Sequence, residues 1–143
     1  MSTTTAPHAT PSLATHARGM TAGLVIGAVA LVPAIFMTAS QARLVMAIAL
    51  AAIGWIYLGF AIADGRPSAI AVQAASSSVF LWTAYAAVQL ESTALVGVGF
   101  LAHAAWDAVH HEGHGPTRVR TWYPPFCVMA DLVIALPLLA GWL

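Results

Sequence analysis

The chain has 143 residues, 60% of them hydrophobic and 7% charged, with five basic and five acidic residues and a formal net charge of zero. Water-soluble domains carry about 25% charged residues, so a mean hydropathy of +0.84 points to an integral membrane protein whose main partner is the lipid bilayer. The basic residues (Arg18, Arg43, Arg66, Arg118 and Arg120) form no tract, which excludes the electrostatic footprint of a nucleic-acid binder; the single cysteine, Cys127, excludes an intramolecular disulfide and any paired-cysteine metal site.

Residues 1–18, MSTTTAPHATPSLATHAR, are rich in Ser, Thr, Ala and Pro and are expected to form a disordered cytoplasmic tail. They lack the short basic segment and apolar core of a signal peptide. A helix needs about 20 apolar residues to cross a bilayer, and the chain offers five such spans, near 19–38, 44–63, 68–90, 93–111 and 124–143. Pro33 is expected to kink the first span. The second runs into Asp64-Gly65-Arg66-Pro67, a strong turn signal. The third is the most polar, with Gln73 and the run Ser76-Ser77-Ser78, residues that favour close helix packing over lipid contact. Pro124 opens the fifth, in a first turn that needs no amide donor. The expected fold is therefore all-α: a polytopic membrane helix bundle of five transmembrane helices over residues 19–143.

Five spans put the N-terminus, the Asp64 turn and the loop from His111 to Tyr123 on one side, with Arg18, Arg66, Arg118 and Arg120. Arg43 alone lies on the other. The positive-inside rule then places a multi-pass protein in the cell membrane with its N-terminus cytoplasmic and its C-terminus external.

The densest cluster of ionisable groups falls at the end of the fourth span, in FLAHAAWDAVHHEGHG (100–115). At 100° per residue, His103, Asp107 and His110 form one stripe, with His111 at its edge. Gly113 and Gly115 are expected to carry His114 off the helix. Imidazole and carboxylate groups at i and i+4 can converge on one metal ion. Asp131 lies seven residues after Pro124, and His103 seven before His110. An antiparallel hairpin of the last two spans would bring them to one depth, about 10 Å in at 1.5 Å per residue. Gln73 and Tyr57 reach a similar level from the third and second spans. Intramembrane carboxylates face a bundle interior or a cavity. The candidate ligands of a divalent metal ion are thus His103, Asp107, His110, His111 and Asp131. Plainer readings compete with this one. His110, His111 and His114 could be interfacial flanking residues, His103 could be a hydrogen-bonded packing residue, Asp107 could pair with Arg118 or Arg120, and Asp131 could simply bond His103 or a backbone donor. Cys127 reads as a small buried hydrophobe, and Tyr57 and Gln73 as packing and hydrogen-bond groups.

HAAWDAVHH (103–111), followed by WYPPFCVMAD (122–131), resembles a signature of small bacterial multi-pass membrane proteins of unknown function. In these, an H-x-x-W-D-x-x-H-H pattern precedes a helix bearing Cys and Asp. The resemblance covers residues 97–135 and implies a shared site without naming its reaction. A weaker similarity, to the histidine boxes of membrane di-iron desaturases, fails on histidine number. One to intramembrane CAAX-type proteases fails because their EExxxR motif is absent.

The leading functional expectation is a metal-dependent enzyme acting on a lipid-soluble substrate from a polar site in the cytoplasmic half. The alternatives are a transport or proton-handling protein with a relay through His103, Asp107 and Asp131, or an accessory membrane subunit. Assembly as a homo-oligomer or within a larger membrane complex is compatible with all three.

Overall fold

The computed structural model describes residues 13–142, and among them all regular structure is helical. Helix α1 spans Leu13–Leu31 and runs into a 3₁₀ segment, Val32–Phe36. There follow α2 (Ala39–Gly54), α3 (Ile56–Asp64), α4 (Pro67–Gln89), α5 (Thr93–Val109), a short 3₁₀ turn (His111–Gly113) and α6 (Tyr123–Leu139).

Helix α1 begins at Leu13 rather than near Gly19, because Leu13, Ala14, Ala17 and Arg18 are good helix formers that extend it outward. Residues 1–12 of the expected tail lie outside the described residues. Pro33 ends α1 instead of kinking it. Without an amide donor at that position, the chain tightens into 3₁₀ geometry and then turns. Thr38 and Gln41 start α2 with a reciprocal capping box. The second expected span is two helices, α2 and α3, separated by the single residue Trp55. Ser77 of α4 donates a hydrogen bond of 2.7 Å to the carbonyl of Gly54 just before this break. A Cβ on Gly54 would lie 2.7 Å from the Cβ of Phe80, so only glycine lets α2 and α4 come this close. Gly65, at φ +74, takes the left-handed conformation that ends α3.

Helix α6 packs between α1 and α5; α5 in turn contacts α4 and α2, and α2 and α3 lie along α4. The α1–α6 contact is backbone-close. Gly19, Gly23 and Gly27 form a stripe on α1, and a Cβ on Gly23 would run into the carbonyl oxygen of Phe126. The apolar core, including Ala34, Ala42, Met46, Leu50, Ala87, Val96 and Leu138, gathers toward the end of the bundle where α1 meets α2 and α4 meets α5. Apart from Ser77, the buried polar side chains among the described residues gather at the opposite end, where α3 meets α4 and α5 meets α6: Gln73, His103, Asp107, His110, Thr117 and Asp131.

Two helical stretches, Leu13–Phe36 and Ala39–Asp64, are long and apolar enough to cross a membrane; Thr93–Val109 and Tyr123–Leu139 are apolar but shorter.

Candidate metal centre

Helices α5 and α6 run antiparallel, and the depth match read from the sequence is realised as a direct contact. His103 Nδ1 lies 2.7 Å from Asp131 Oδ2 across the hairpin. The same nitrogen lies 3.2 Å from Oδ2 of Asp107, one turn along α5. All three residues are buried, Asp107 completely. One donor atom from each of His103, Asp107 and Asp131 lies within 4.8 Å of the others, so the three could hold a metal ion.

The hydrogen bonding around this trio is incomplete. A single imidazole nitrogen carries at most one proton, and the contact with Asp131 uses it. Neither oxygen of Asp107 has a hydrogen-bond partner, and Nε2 of His103 has none either. A buried carboxylate without compensation is strongly disfavoured. The site therefore calls for a cation at Asp107, a bound metal or a proton.

One turn toward the loop, the bonding is complete. Gln73 Nε2 donates both hydrogens, one to His110 Nε2 at 2.8 Å and one to Thr117 Oγ1 at 2.9 Å. Its Oε1 accepts from Trp106 Nε1 at 3.2 Å, and the Ser76 hydroxyl shares its one proton between this oxygen at 3.2 Å and the Gln73 backbone carbonyl at 3.1 Å. Because an indole N–H can only donate, this contact fixes which end of the amide is oxygen. His110 Nδ1 then donates to the Trp106 carbonyl at 2.9 Å. Both nitrogens of His110 are occupied, and its imidazole is held neutral by geometry.

The loop after α5 closes over this network. A Cβ on Gly115 would collide with the His110 ring, so glycine permits the crossing that carries Thr117 inward. Arg66 holds the loop from outside, donating from Nη2 to the Pro116 carbonyl at 2.9 Å.

Of the five candidate ligands, the fold brings together His103, Asp107 and Asp131. His110 belongs to the Gln73 network. His111, half-buried, places its ring 4.9 Å from that of His16 on α1. His114 has left the helix, as its flanking glycines predicted, and its Nδ1 donates to the His111 carbonyl at 2.9 Å. Arg118 and Arg120 are exposed, and Asp107 faces His103 instead of either. The sequence placed Tyr57 and Gln73 at the right level, and both are buried there. Thr117 escaped notice: a threonine between Gly115-Pro116 and Arg118 in a polar loop carries no sign of burial.

Fold and site together define an all-α protein with a buried imidazole–dicarboxylate centre beneath a pinned loop. The chain belongs to a family of unknown function, DUF6010, whose model matches residues 18–142. No curated protein and no solved structure matches it.

Proposed function

We propose that this chain is a polytopic membrane protein that binds a divalent metal ion between His103, Asp107 and Asp131 and uses it in a reaction on a lipid-soluble substrate. The observation that carries this reading is the fully buried Asp107 carboxylate, which has no hydrogen bond at either oxygen and shares the His103 Nδ1 contact with a second buried carboxylate. Two carboxylates and a neutral imidazole balance a dication, so the loaded site would be neutral where uncompensated charge is most costly. The mixed nitrogen and oxygen donor set suits Zn²⁺, Mn²⁺ or Fe²⁺ better than Ca²⁺ or Mg²⁺. Three protein ligands leave a position open, the pattern of catalytic rather than structural sites. A metal held there would act as a Lewis acid or activate a bound water. The chain's own residues orient the donors, and the Gln73 network and the loop keep bulk water from the site.

The membrane reading is supported by an inside-out distribution of polarity. Ile26, Val29, Ile48, Ile62, Val79, Trp82 and Leu136 are exposed on the outer faces of the helices, while Gln73, His103, Asp107 and Asp131 are buried within. Arg66, Arg118 and Arg120 lie at the polar end, which supports a cytoplasmic position for that end. Labelling of cysteines introduced at Ser12 and after Leu143, in a Cys127→Ser background, tests the topology. Five spans require opposite sides.

A proton-handling protein is the second reading, favoured by the 2.7 Å His103–Asp131 bond, which needs only a proton. Thermal melting of the detergent-purified protein with and without Zn²⁺, Mn²⁺ or Fe²⁺ separates the two. Metal-dependent stabilisation that His103→Ala removes supports the metal centre; no stabilisation by any of the three ions favours the relay.

A further inference from the structure

Immediately after the break at Trp55, Tyr57 enters the bundle beside the centre. It is 1% exposed, its ring stacks on His110 at 4.2 Å, and it lies 6.3 Å from the His103 ring. The hydroxyl is a near neighbour of the Asp107 carboxylate, close enough for a weak hydrogen-bonding interaction, but no hydrogen bond of good geometry forms. Buried tyrosine hydroxyls ordinarily find a partner. Among the described residues, five buried side-chain polar atoms lack a hydrogen-bond partner, and four of them belong to Tyr57, His103 and Asp107. Most of the unmet side-chain hydrogen bonding of the described residues thus falls on three neighbouring side chains. Together they combine a hydroxyl donor with the acceptor atoms of two candidate metal ligands.

We propose that Tyr57 is a positioning residue of this centre, whose hydroxyl donates a hydrogen bond to the oxygen or nitrogen donor that takes the position left open by His103, Asp107 and Asp131. The proposal rests on reading the trio as a metal site. It assigns the ligand a chemical class: a small anionic or carbonyl donor, such as hydroxide or the carbonyl oxygen of a lipid-soluble ester or amide, rather than an apolar group. The ring is held from behind by His110, itself fixed by Gln73 and the Trp106 carbonyl. The ring is therefore held in place beside the trio, the preorganisation that electrostatic stabilisation of a bound anion requires.

Cobalt as the metal and azide as the anion provide the test, since the visible bands of Co²⁺ report its coordination. Tyr57→Phe keeps the ring against His110 and removes only the hydroxyl. The expected result is unchanged Co²⁺ affinity and azide affinity lower by roughly tenfold or more, the effect of losing a hydrogen bond to a charged group. Equal azide affinity in wild type and Tyr57→Phe overturns the proposal. So does loss of Co²⁺ binding in a variant of native helicity, which would make Tyr57 a ligand. A wild-type cobalt spectrum indifferent to azide overturns it as well, by closing the fourth position. Failure of wild type to bind Co²⁺, Zn²⁺ or Mn²⁺ at all removes the metal reading itself, a distinguishable outcome. Should Tyr57→Phe misfold, fluorotyrosine at position 57 replaces it: a more acidic hydroxyl should tighten azide binding, and no change counts against the proposal.

Discussion

At one end of the bundle, the helices meet through Ala34, Ala42, Ala47, Ala87 and Val96, small side chains that let backbones approach, with Leu50, Phe100 and Leu138 filling the space between. At the other end, the same helices meet through Tyr57, Gln73, His103, Asp107, His110 and Asp131. Helix packing alone requires only the first kind of contact. Buried polar groups stabilise a bundle when every donor and acceptor is met, and otherwise they cost. The polar end contains both cases side by side. Gln73 has partners for both its amide hydrogens and its side-chain oxygen, while Asp107 on α5 has no hydrogen bond at either oxygen and only the 3.2 Å contact of Oδ2 with His103. The first is a structural lock. The second could hold a metal ion.

The sharpest way to separate lock from site is to change each. Asp107→Asn should lower metal affinity by about 100-fold or more, since it removes a charged ligand from a position no water readily fills. The metal-free protein should at the same time become more stable, by about 1–3 kcal/mol, because an uncompensated carboxylate is gone. Thermal melts with and without metal read both effects, and they have opposite signs. Gln73→Leu should do the reverse. It strands His110, Thr117 and Trp106, costing about 2–4 kcal/mol, and exposes the 111–122 loop to protease while leaving the metal ligands in place.

The α1–α6 seam is expected to respond to bulk alone. Gly23→Leu forces a side chain against the Phe126 carbonyl and should cost about 1–3 kcal/mol, read as earlier proteolysis of α1 with metal affinity kept. The smallest effect belongs to Ser77→Ala. It removes one interhelical hydrogen bond, to Gly54, for which about 0.6 kcal/mol is typical between buried helices in a membrane. A larger loss there, accompanied by weaker metal binding, would mean that the break at Trp55 controls the position of Tyr57.

Much of this division was legible in the sequence. Apolar length located the helices, and proline and glycine marked the turn between α3 and α4 and the start of α6. Counting residues inward from Pro124 and from His110 put Asp131 beside His103, because rise per residue is nearly constant in helices. Rotation about the axis was harder to read. His110 shares the stripe of His103 and Asp107, but α5 ends at Val109, and the Gln73 amide and the Trp106 carbonyl claim both its nitrogens. The break at Trp55 had only Gly54 beside it as a local signal, since it contains no proline and the Gly54 carbonyl is satisfied from another helix. Gly115 was read as a helix stop, whereas its role is to let the loop pass over the His110 ring. Each of these depends on contacts between segments distant in sequence, which periodicity within one segment does not encode.

The central claim is that the unmet hydrogen bonding at Asp107 marks a metal site. Metal content of protein purified in mild detergent, measured for wild type beside a His103→Ala/Asp107→Asn double variant after equilibration with Zn²⁺, Mn²⁺ or Fe²⁺, tests it most directly. The account predicts about one divalent ion per wild-type chain, as for a single three-ligand site, and background levels in the variant. Equal metal in both proteins, or none in wild type with any of the three ions, would contradict it.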